Sequence, residues 1–334
     1  MDEPATRAWS IPTYQELKTR AGLESGTAWG IWGATDQLGT LNHLTAARVL
    51  AARESMLTGD VVPLNLPLTE FDPPIIAHRG AIAHTVFGLN EFHRDDRLDN
   101  FFTQASTQLD GLRHFGNPDK GFYNNNDPVQ LVAGTPALGI QVAAQRGIAG
   151  RGILIDVAAY RDAVGRPIDQ SRNEQIPVSD LDAALDWQGS TILPGDILMI
   201  RTGWLAYVRA HGNRTGNSLQ SPGLEQSEGT ASWLWNHHVA VAAADNIALE
   251  AWPATGSTLV VEAEASGRMP PSSHSGMLHR ILIPLLGLTI GELWDLDTLA
   301  LTCARRQRYD VFITAQPLNL LGGVGSPANV MAIL

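Results

Sequence analysis

The sequence predicts an α/β protein with a mixed sheet, and two observations lead to this fold class. Short β-branched runs bounded by glycine alternate with helical segments through the middle of the chain. Of the 334 residues, 44% are hydrophobic and 17% are charged, which supports a packed core rather than a disordered chain. Glycine and proline are spread along the whole length, so no change in composition marks a linker. We therefore predict one domain, residues 1–334, in which residues 1–60 form an N-terminal arm.

The first part of the chain combines short helices with glycine-rich turns. A helical pattern covers residues 13–21, and a second helix is predicted over residues 45–53, because residues 42–45 can cap its start. Residues 29–33 read Trp-Gly-Ile-Trp-Gly, a composition typical of turns. From about Val61 the pattern changes to short apolar runs cut by turns, which predicts strands.

The middle and the end of the chain predict alternating strands and helices. Buried strands are predicted from β-branched or apolar runs, and helices from amphipathic segments that follow capping residues. The predicted strands are residues 151–157, 195–204, 239–244 and 309–314, and the predicted helices are residues 178–185 and 228–238. The apolar segment 277–286 fits either structure, and residues 320–327 predict a glycine-rich turn.

Charge and cysteine content exclude several classes of function. The chain has 34 acidic and 23 basic residues, a formal net charge of −11, which disfavours binding to nucleic acid or to an anionic membrane. The single cysteine, Cys303, cannot form an intrachain disulfide or a cysteine zinc module. The apolar stretch 281–290 contains Pro284 and is too short to span a bilayer. The acidic first residues do not resemble a signal peptide, so we expect a cytoplasmic protein.

Common enzyme motifs are missing from the sequence. It contains no Gly-x-Ser-x-Gly elbow, no Walker A loop and no His-Glu-x-x-His helix motif. These absences argue against an ordinary α/β-hydrolase, a nucleotide-binding protein of the P-loop type and a zincin protease. We expect a small molecule, rather than a macromolecule, as the binding partner.

One polar segment carries the candidate chemistry. Gln104, Ser106, Gln108 and Asp110 lie at even spacing, so in an extended chain they share one face. His114 follows the Asp-Gly turn and is placed to fold back toward Asp110. A carboxylate beside a histidine fixes its tautomer and stabilises the imidazolium, which suits a general acid or base. On spacing alone, a polar hairpin whose side chains merely cap turns is the alternative.

This segment resembles the motif His-x-Gly-Thr-His-x-Asp-x-x-x-His of the cyclase family that includes bacterial kynurenine formamidase and isatin hydrolase. Thr107 matches the family's threonine, and Ser106 stands where glycine is usual. The resemblance extends over roughly residues 28 to 332. Further similar blocks, in order, are residues 32–42, 151–156, 195–204, 221–224, Asp245, residues 317–318 and residues 325–327.

The resemblance implies roles for individual residues. Asp110 takes the place of a metal-binding aspartate, and His114 takes the place of the catalytic acid/base. His279 and Glu292 are similar in position to a histidine and a glutamate that complete the family's metal site. Gln104 and Gln108 occupy the positions of two metal-binding histidines, so they are the main departure from the family pattern.

The two glutamines leave the cofactor open. A glutamine carbonyl is a weaker zinc ligand than imidazole, and the set would suit Mn²⁺, Mg²⁺ or Ca²⁺ better than Zn²⁺. We expect a divalent metal, Mn, Zn or Mg. In the metal-free alternative, His114 activates water directly, Asp110 orients it, and the Gln104 and Gln108 amides donate hydrogen bonds to the oxyanion.

The resemblance also implies a fold and an activity. The family's swivelling β/β/α fold has a mixed sheet with a barrel-like core and flanking helices. The implied activity is hydrolysis of an amide, imide or lactone bond in a small aromatic or cyclic substrate. Ring formation or lactonisation, and ligand binding without turnover, are the alternatives. Trp32 and Phe101 are candidate substrate-binding residues that would form an aromatic wall. A homodimer or homotetramer is expected by resemblance.

Overall fold

The structure is a computed structural model that describes residues 9–76, 78–212, 219–254 and 259–334. The strands are β1 (Val61–Pro63), β2 (Ala83–Asn90), β3 (His93–Asp99), β4 (Gln108–Asp110), β5 (Ile148–Asp156), β6 (Gln175–Ile176), β7 (Ile197–Arg201), β8 (Gly223–Leu224), β9 (Val241–Ala244), β10 (Thr289–Glu292), β11 (Asp310–Ala315), β12 (Gly325–Pro327) and β13 (Val330–Ile333). The helices are α1 (Tyr14–Lys18), α2 (Ala46–Ala52), α3 (Gln141–Arg146), α4 (Val157–Ala163), α5 (Val178–Gln188), α6 (Trp204–His211), α7 (Glu228–Asn236), α8 (Glu262–Ala265), α9 (His279–Leu282) and α10 (Asp297–Arg306).

A nine-stranded mixed sheet organises the fold, in the order β1-β13-β11-β5-β7-β9-β10-β4-β12. The four central strands, β5, β7, β9 and β10, run parallel, and antiparallel strands flank them on both sides. Helices cover the sheet, as the α/β class requires, because parallel strands bury both faces. This mixed sheet with flanking helices confirms the predicted fold class.

The central strands are buried along their length. Every residue of β9 is buried, as is every residue of β7 except Arg201 at its end. Such continuous apolar runs, rather than alternating ones, are typical of strands covered on both faces. Residues of the predicted N-terminal arm reach this core, since Leu17, Trp29 and Leu41 are all buried in it.

The predicted elements of the middle region form, with shifted ends. Strand 195–204 ends at Arg201 because Gly203 adopts a left-handed conformation, φ +85°, and α6 begins at Trp204. The ambiguous segment 277–286 is resolved as the short helix α9 followed by a loop. The predicted turn 320–327 was wrong at its end, because residues 325–327 form strand β12 and pair with β4. This pairing matters for the site, which β4 carries.

Strands β2 and β3 form a separate two-stranded hairpin whose side chains are all exposed. The hairpin leads directly into the polar segment, because Asn100 and Phe101 follow the end of β3. Within the described residues, no helix is both long and apolar enough to cross a membrane.

Candidate metal and acid/base site

The candidate site lies where β4 meets the carboxyl end of β10. The antiparallel register places Gln108 directly opposite Glu292, and Asp110 opposite Ile290. Paired residues share a face of a sheet, and so do residues two apart on one strand. Gln108, Asp110 and Glu292 therefore project from the same face, and all three are buried.

The Gln104 side chain folds over this face from the turn that precedes β4. Its Nε2 donates a hydrogen bond of 2.5 Å to Asp110 Oδ1. Gln108 Nε2 donates in the same way to Glu292 Oε2. Strand β12 leaves room for this arrangement, because a Cβ atom on Gly325 would lie 2.8 Å from the Gln104 side chain. The two glutamines thus each hold one oxygen of one carboxylate.

His114 folds back to Asp110, as its spacing predicts. The turn after β4 is closed by a hydrogen bond from His114 N to Gly111 O, 2.9 Å. His114 Nε2 then lies 3.9 Å from Asp110 Oδ2, and Nδ1 lies 3.3 Å from Gln104 Nε2. The Phe115 ring packs against the His114 and His279 rings. Of the even-spaced residues, Ser106 is directed away, since its hydroxyl donates to Pro67 O.

His279 joins the same cluster from α9. Its Nε2 lies 3.1 Å from Glu292 Oε1 and 3.6 Å from Asp110 Oδ2. Its Nδ1 lies 2.6 Å from Glu250 Oε1, and the Glu250 carboxylate also accepts the backbone N–H groups of Leu278 and His279. Two pairs of residues that are far apart in the sequence, Asp110 with His114 and His279 with Glu292, therefore meet at one place.

Glu250 is a site residue that the sequence analysis missed. It is completely buried and lies in the loop after β9. No sequence motif relates Glu250 to His279, which lies 29 residues later, so only the fold shows that the two are in contact. The available signal was the place of Glu250 in the loop after the predicted strand 239–244, since ligand sites of α/β proteins lie beyond the carboxyl ends of parallel strands.

Burial and mutual contact shift the ionisation of the cluster. Burial raises the pKa of Asp110, but His114, His279 and Gln104 together lower it below its usual value. Burial alone would lower the pKa of His279, but hydrogen bonds with Asp110, Glu250 and Glu292 raise it well above its usual value. These opposite shifts favour an ionised Asp110 beside a positively charged His279 when the protein holds no metal.

For Glu292 the pKa is raised and for His114 it is lowered, the reverse of the shifts of Asp110 and His279. Burial and the neighbouring Asp110 carboxylate raise the pKa of Glu292 to about 7. Burial lowers the pKa of His114, although Asp110 acts to raise it. His114 is therefore neutral at pH 7, the state in which an imidazole can accept a proton.

The donor set fits one divalent cation. Ligand atoms of Asp110, His114 and His279 all lie within 4.8 Å of one another. Asp110 Oδ2 is buried and has no hydrogen-bond partner in the described residues, although a carboxylate oxygen without a donor is costly to bury. A cation held by this oxygen, His279 Nε2 and Glu292 Oε1 would satisfy it.

The site opens into a narrow cavity of about 20 Å³ lined by Arg79, Gln104, Gln108 and Glu292, with Ile247 and Leu293 among its apolar walls. A second, more apolar cavity of about 100 Å³ adjoins it and shares residues Pro74 and Ala105. Phe101 lines this outer cavity, and its role in binding a substrate stays a prediction.

The structure gives Trp32 a different place from the one predicted. Trp32 is buried in the main core and contacts the rings of His43 and Trp235, with centroid distances of 5.4 and 6.0 Å. It lines neither cavity beside the site. The glycine-rich sequence around it suggested an open loop, but its apolar side chains fold inward, so an aromatic wall of Trp32 and Phe101 does not form.

We expect Glu250→Gln to weaken the site through His279. The substitution keeps the shape of the side chain but places an amide where three donors need a carboxylate. The free energy of unfolding should fall by about 1–3 kcal/mol, since hydrogen bonds to a buried charge are lost. Affinity for Mn²⁺ should fall roughly 10- to 100-fold, as when an outer partner of a histidine ligand is removed. Denaturant unfolding and metal titration measure the two effects.

Glu262→Gln makes the same chemical change on an exposed residue and should leave both quantities at their original values. Equal metal affinity for the Glu250→Gln variant and the original protein would show that Glu250 does not position His279.

The chain matches one family profile and several solved structures. The profile of the family described as "Putative cyclase" matches residues 38–251. A search of curated proteins found no match. A crystal structure described as a novel cyclase shares 30% identity and a TM-score of 0.76, and the match covers 92% of this chain and 99% of the other.

Two isatin hydrolases have a similar fold at lower identity. The match to isatin hydrolase A from Labrenzia aggregata has 15% identity and a TM-score of 0.54, and covers 88% of this chain and 98% of the other. The match to isatin hydrolase A from Ralstonia solanacearum has 18% identity and a TM-score of 0.51, with coverage of 86% and 97%. The family profile and the novel cyclase structure, which span most of the chain, show that this protein belongs to the cyclase family.

Proposed function

We propose that the protein is a hydrolase that cleaves an amide, imide or lactone bond in a small aromatic or cyclic compound. The observation that carries this proposal is the convergence of Asp110, His114, His279 and Glu292 beside a narrow cavity that adjoins a larger, more apolar one. Carboxylates and imidazoles in this arrangement supply both a cation site and a proton carrier, which carbonyl hydrolysis requires.

Asp110, His279 and Glu292 would hold the cation, and the glutamines would hold the carboxylates. When bound, a divalent cation polarises the substrate carbonyl and lowers the pKa of a water molecule. Gln104 and Gln108 each fix one carboxylate oxygen, so the other oxygen of Asp110 and of Glu292 is left to face His279. The family's histidine positions thus serve here as orienting donors.

His114 would carry the proton. A hydrogen bond from the Gln104 amide to Nδ1 places the proton of the neutral ring on Nε2, which lies on the Asp110 side. The ring takes a proton from the attacking water at Nδ1, where that proton replaces the hydrogen bond from Gln104, and Asp110 stabilises the imidazolium that forms. The imidazolium then gives one proton to the leaving nitrogen or oxygen, which returns the ring to its neutral form.

The two adjoining cavities would divide the substrate between them. The reacting carbonyl would enter the inner cavity, which Glu292 lines together with Gln104, the residue that contacts both Asp110 and His114. A flat apolar group would occupy the outer cavity, which Leu68, Phe71 and Phe101 line. A cyclic amide is the first class to test, since it joins a planar ring to the scissile bond.

The deciding experiment combines elemental analysis of the purified protein with turnover assays. A panel of a small lactone, a cyclic imide and a formanilide is offered with and without chelator. About one divalent metal per chain, with turnover of a panel member that the chelator abolishes, is the expected result. Turnover that resists the chelator would replace the cation by direct activation of water by His114. Neither metal nor turnover would leave a small-molecule binding protein.

A further inference from the structure

The inner cavity contains a cation whose charge is not balanced by an ion pair. Arg79 lines this cavity beside Gln104, Gln108 and Glu292. Its Nη1 donates to the backbone carbonyl of Gln104, and among the described residues no carboxylate lies within ion-pair distance of its guanidinium. No motif in the sequence assigns Arg79 a role.

Most comparably enclosed arginines of this protein do have such a partner. Arg151 pairs with Asp196, Arg201 with Asp156 and Arg280 with Glu264, at 2.6 to 3.0 Å. The charge of Arg79 acts on Glu292, whose pKa it lowers, but without a direct ion pair a half-buried guanidinium regains only part of the hydration that it loses. Arg79 nevertheless lines the wall of a cavity where a substrate would bind. It has no ion-pair partner there among the described residues, although the chain has 34 acidic and 23 basic residues and a net charge of −11.

The donors of Arg79 suggest what it binds. A guanidinium has five N–H donors in a planar fork, and within the described residues the Gln104 carbonyl is the one acceptor of a hydrogen bond from Arg79. A planar fork matches the two oxygens of a carboxylate. We propose that Arg79 is a specificity-determining residue that binds a carboxylate on the substrate, an inference that rests on the proposed hydrolase function.

The surroundings favour a carboxylate over a phosphate. Glu292 lines the same small cavity, and Asp110 lies next to it, so a doubly charged anion would be repelled more strongly than a singly charged one. The outer cavity accepts the rest of the molecule, since Leu68, Phe71 and Phe101 offer apolar walls. The substrate class is therefore an aromatic acid, with its carboxylate on Arg79 and its ring in the outer cavity.

Benzoate and benzamide test this assignment, because they share a ring and differ in the charge of one group. Calorimetric titration of the purified protein should show benzoate binding about tenfold or more tightly than benzamide. Arg79→Gln should weaken benzoate about tenfold or more and leave benzamide within about twofold. Arg79→Lys, which keeps the charge and a donor for the Gln104 carbonyl, should recover part of the preference.

Arg94→Gln removes an exposed arginine from β3 and should bind both compounds as the original protein does. Equal affinity of the original protein for benzoate and benzamide would overturn the proposal, as would an unchanged preference in Arg79→Gln. A preference that depends on Arg79 without turnover of any panel compound would refute the hydrolase function but support this binding role. Turnover of a panel compound together with an unchanged benzoate preference in Arg79→Gln would support the hydrolase function and refute this binding role.

Discussion

His114→Ala should reduce kcat by roughly 10²- to 10⁴-fold, the usual contribution of a positioned acid or base. The reason is geometric: His114 is the neutral imidazole of the cluster, beside Asp110 on one nitrogen and Gln104 on the other. Its removal takes away the proton carrier but leaves Asp110, His279 and Glu292 in place to hold a cation. KM and metal content should therefore stay within about threefold of the original values, because ground-state binding is kept. Steady-state kinetics on the best panel substrate, together with elemental analysis, measure these quantities.

His84→Ala is the matched control, because it removes an exposed histidine from the β2–β3 hairpin. Its kcat should equal that of the original protein. Added imidazole should restore part of the activity of His114→Ala, which loss of folding would not allow. If His114→Ala keeps kcat within tenfold of the original, His114 is not the proton carrier, and Glu292 becomes the next residue to test.

The sequence predicted the site's local geometry better than its long-range contacts. The spacing from Gln104 to His114 is short, so one strand and one turn decide whether the side chains meet, and they do. Ser106 departs from the expected common face because regular strand structure begins only at Gln108, after a turn. Even spacing predicts a face only where the chain is extended.

Long-range partners needed the fold. Glu292 and His279 were placed by resemblance, and the pairing of β10 with β4 now explains the position of Glu292. Glu250 and Arg79 had no such guide, since a loop carboxylate and a lone arginine are common in any chain. Trp32 shows the opposite failure, because it was predicted to line the substrate site in an aromatic wall but instead supplies apolar area to the core. The oligomeric state and the cytoplasmic location stay predictions.

The substitution Gln104→His combined with Gln108→His should raise the affinity for Zn²⁺ on the order of 100-fold or more. The double variant restores two imidazole ligands, which zinc prefers over amide oxygens, and metal affinity grows with each added nitrogen donor. In the original protein each glutamine amide nitrogen donates to a carboxylate, and within the described residues Gln108 Oε1 is buried without a hydrogen-bond partner. Even if this neutral oxygen faces the cation, it is a weaker zinc ligand than the imidazole that would replace it. Competition with a chromophoric chelator measures the change.

Selectivity should change along with affinity. The original oxygen-rich set should have similar affinities for Mn²⁺ and Zn²⁺. In the double variant, which carries two more imidazoles, the affinity for Zn²⁺ should rise more than the affinity for Mn²⁺. Gln130→His makes the same change on an exposed residue and should alter neither affinity. Equal zinc affinities for the double variant and the original protein would mean that residues 104 and 108 do not reach the cation position. The glutamines would then be orienting donors whose replacement by histidine restores no ligand, and Asp110, His279 and Glu292 alone would account for the metal affinity.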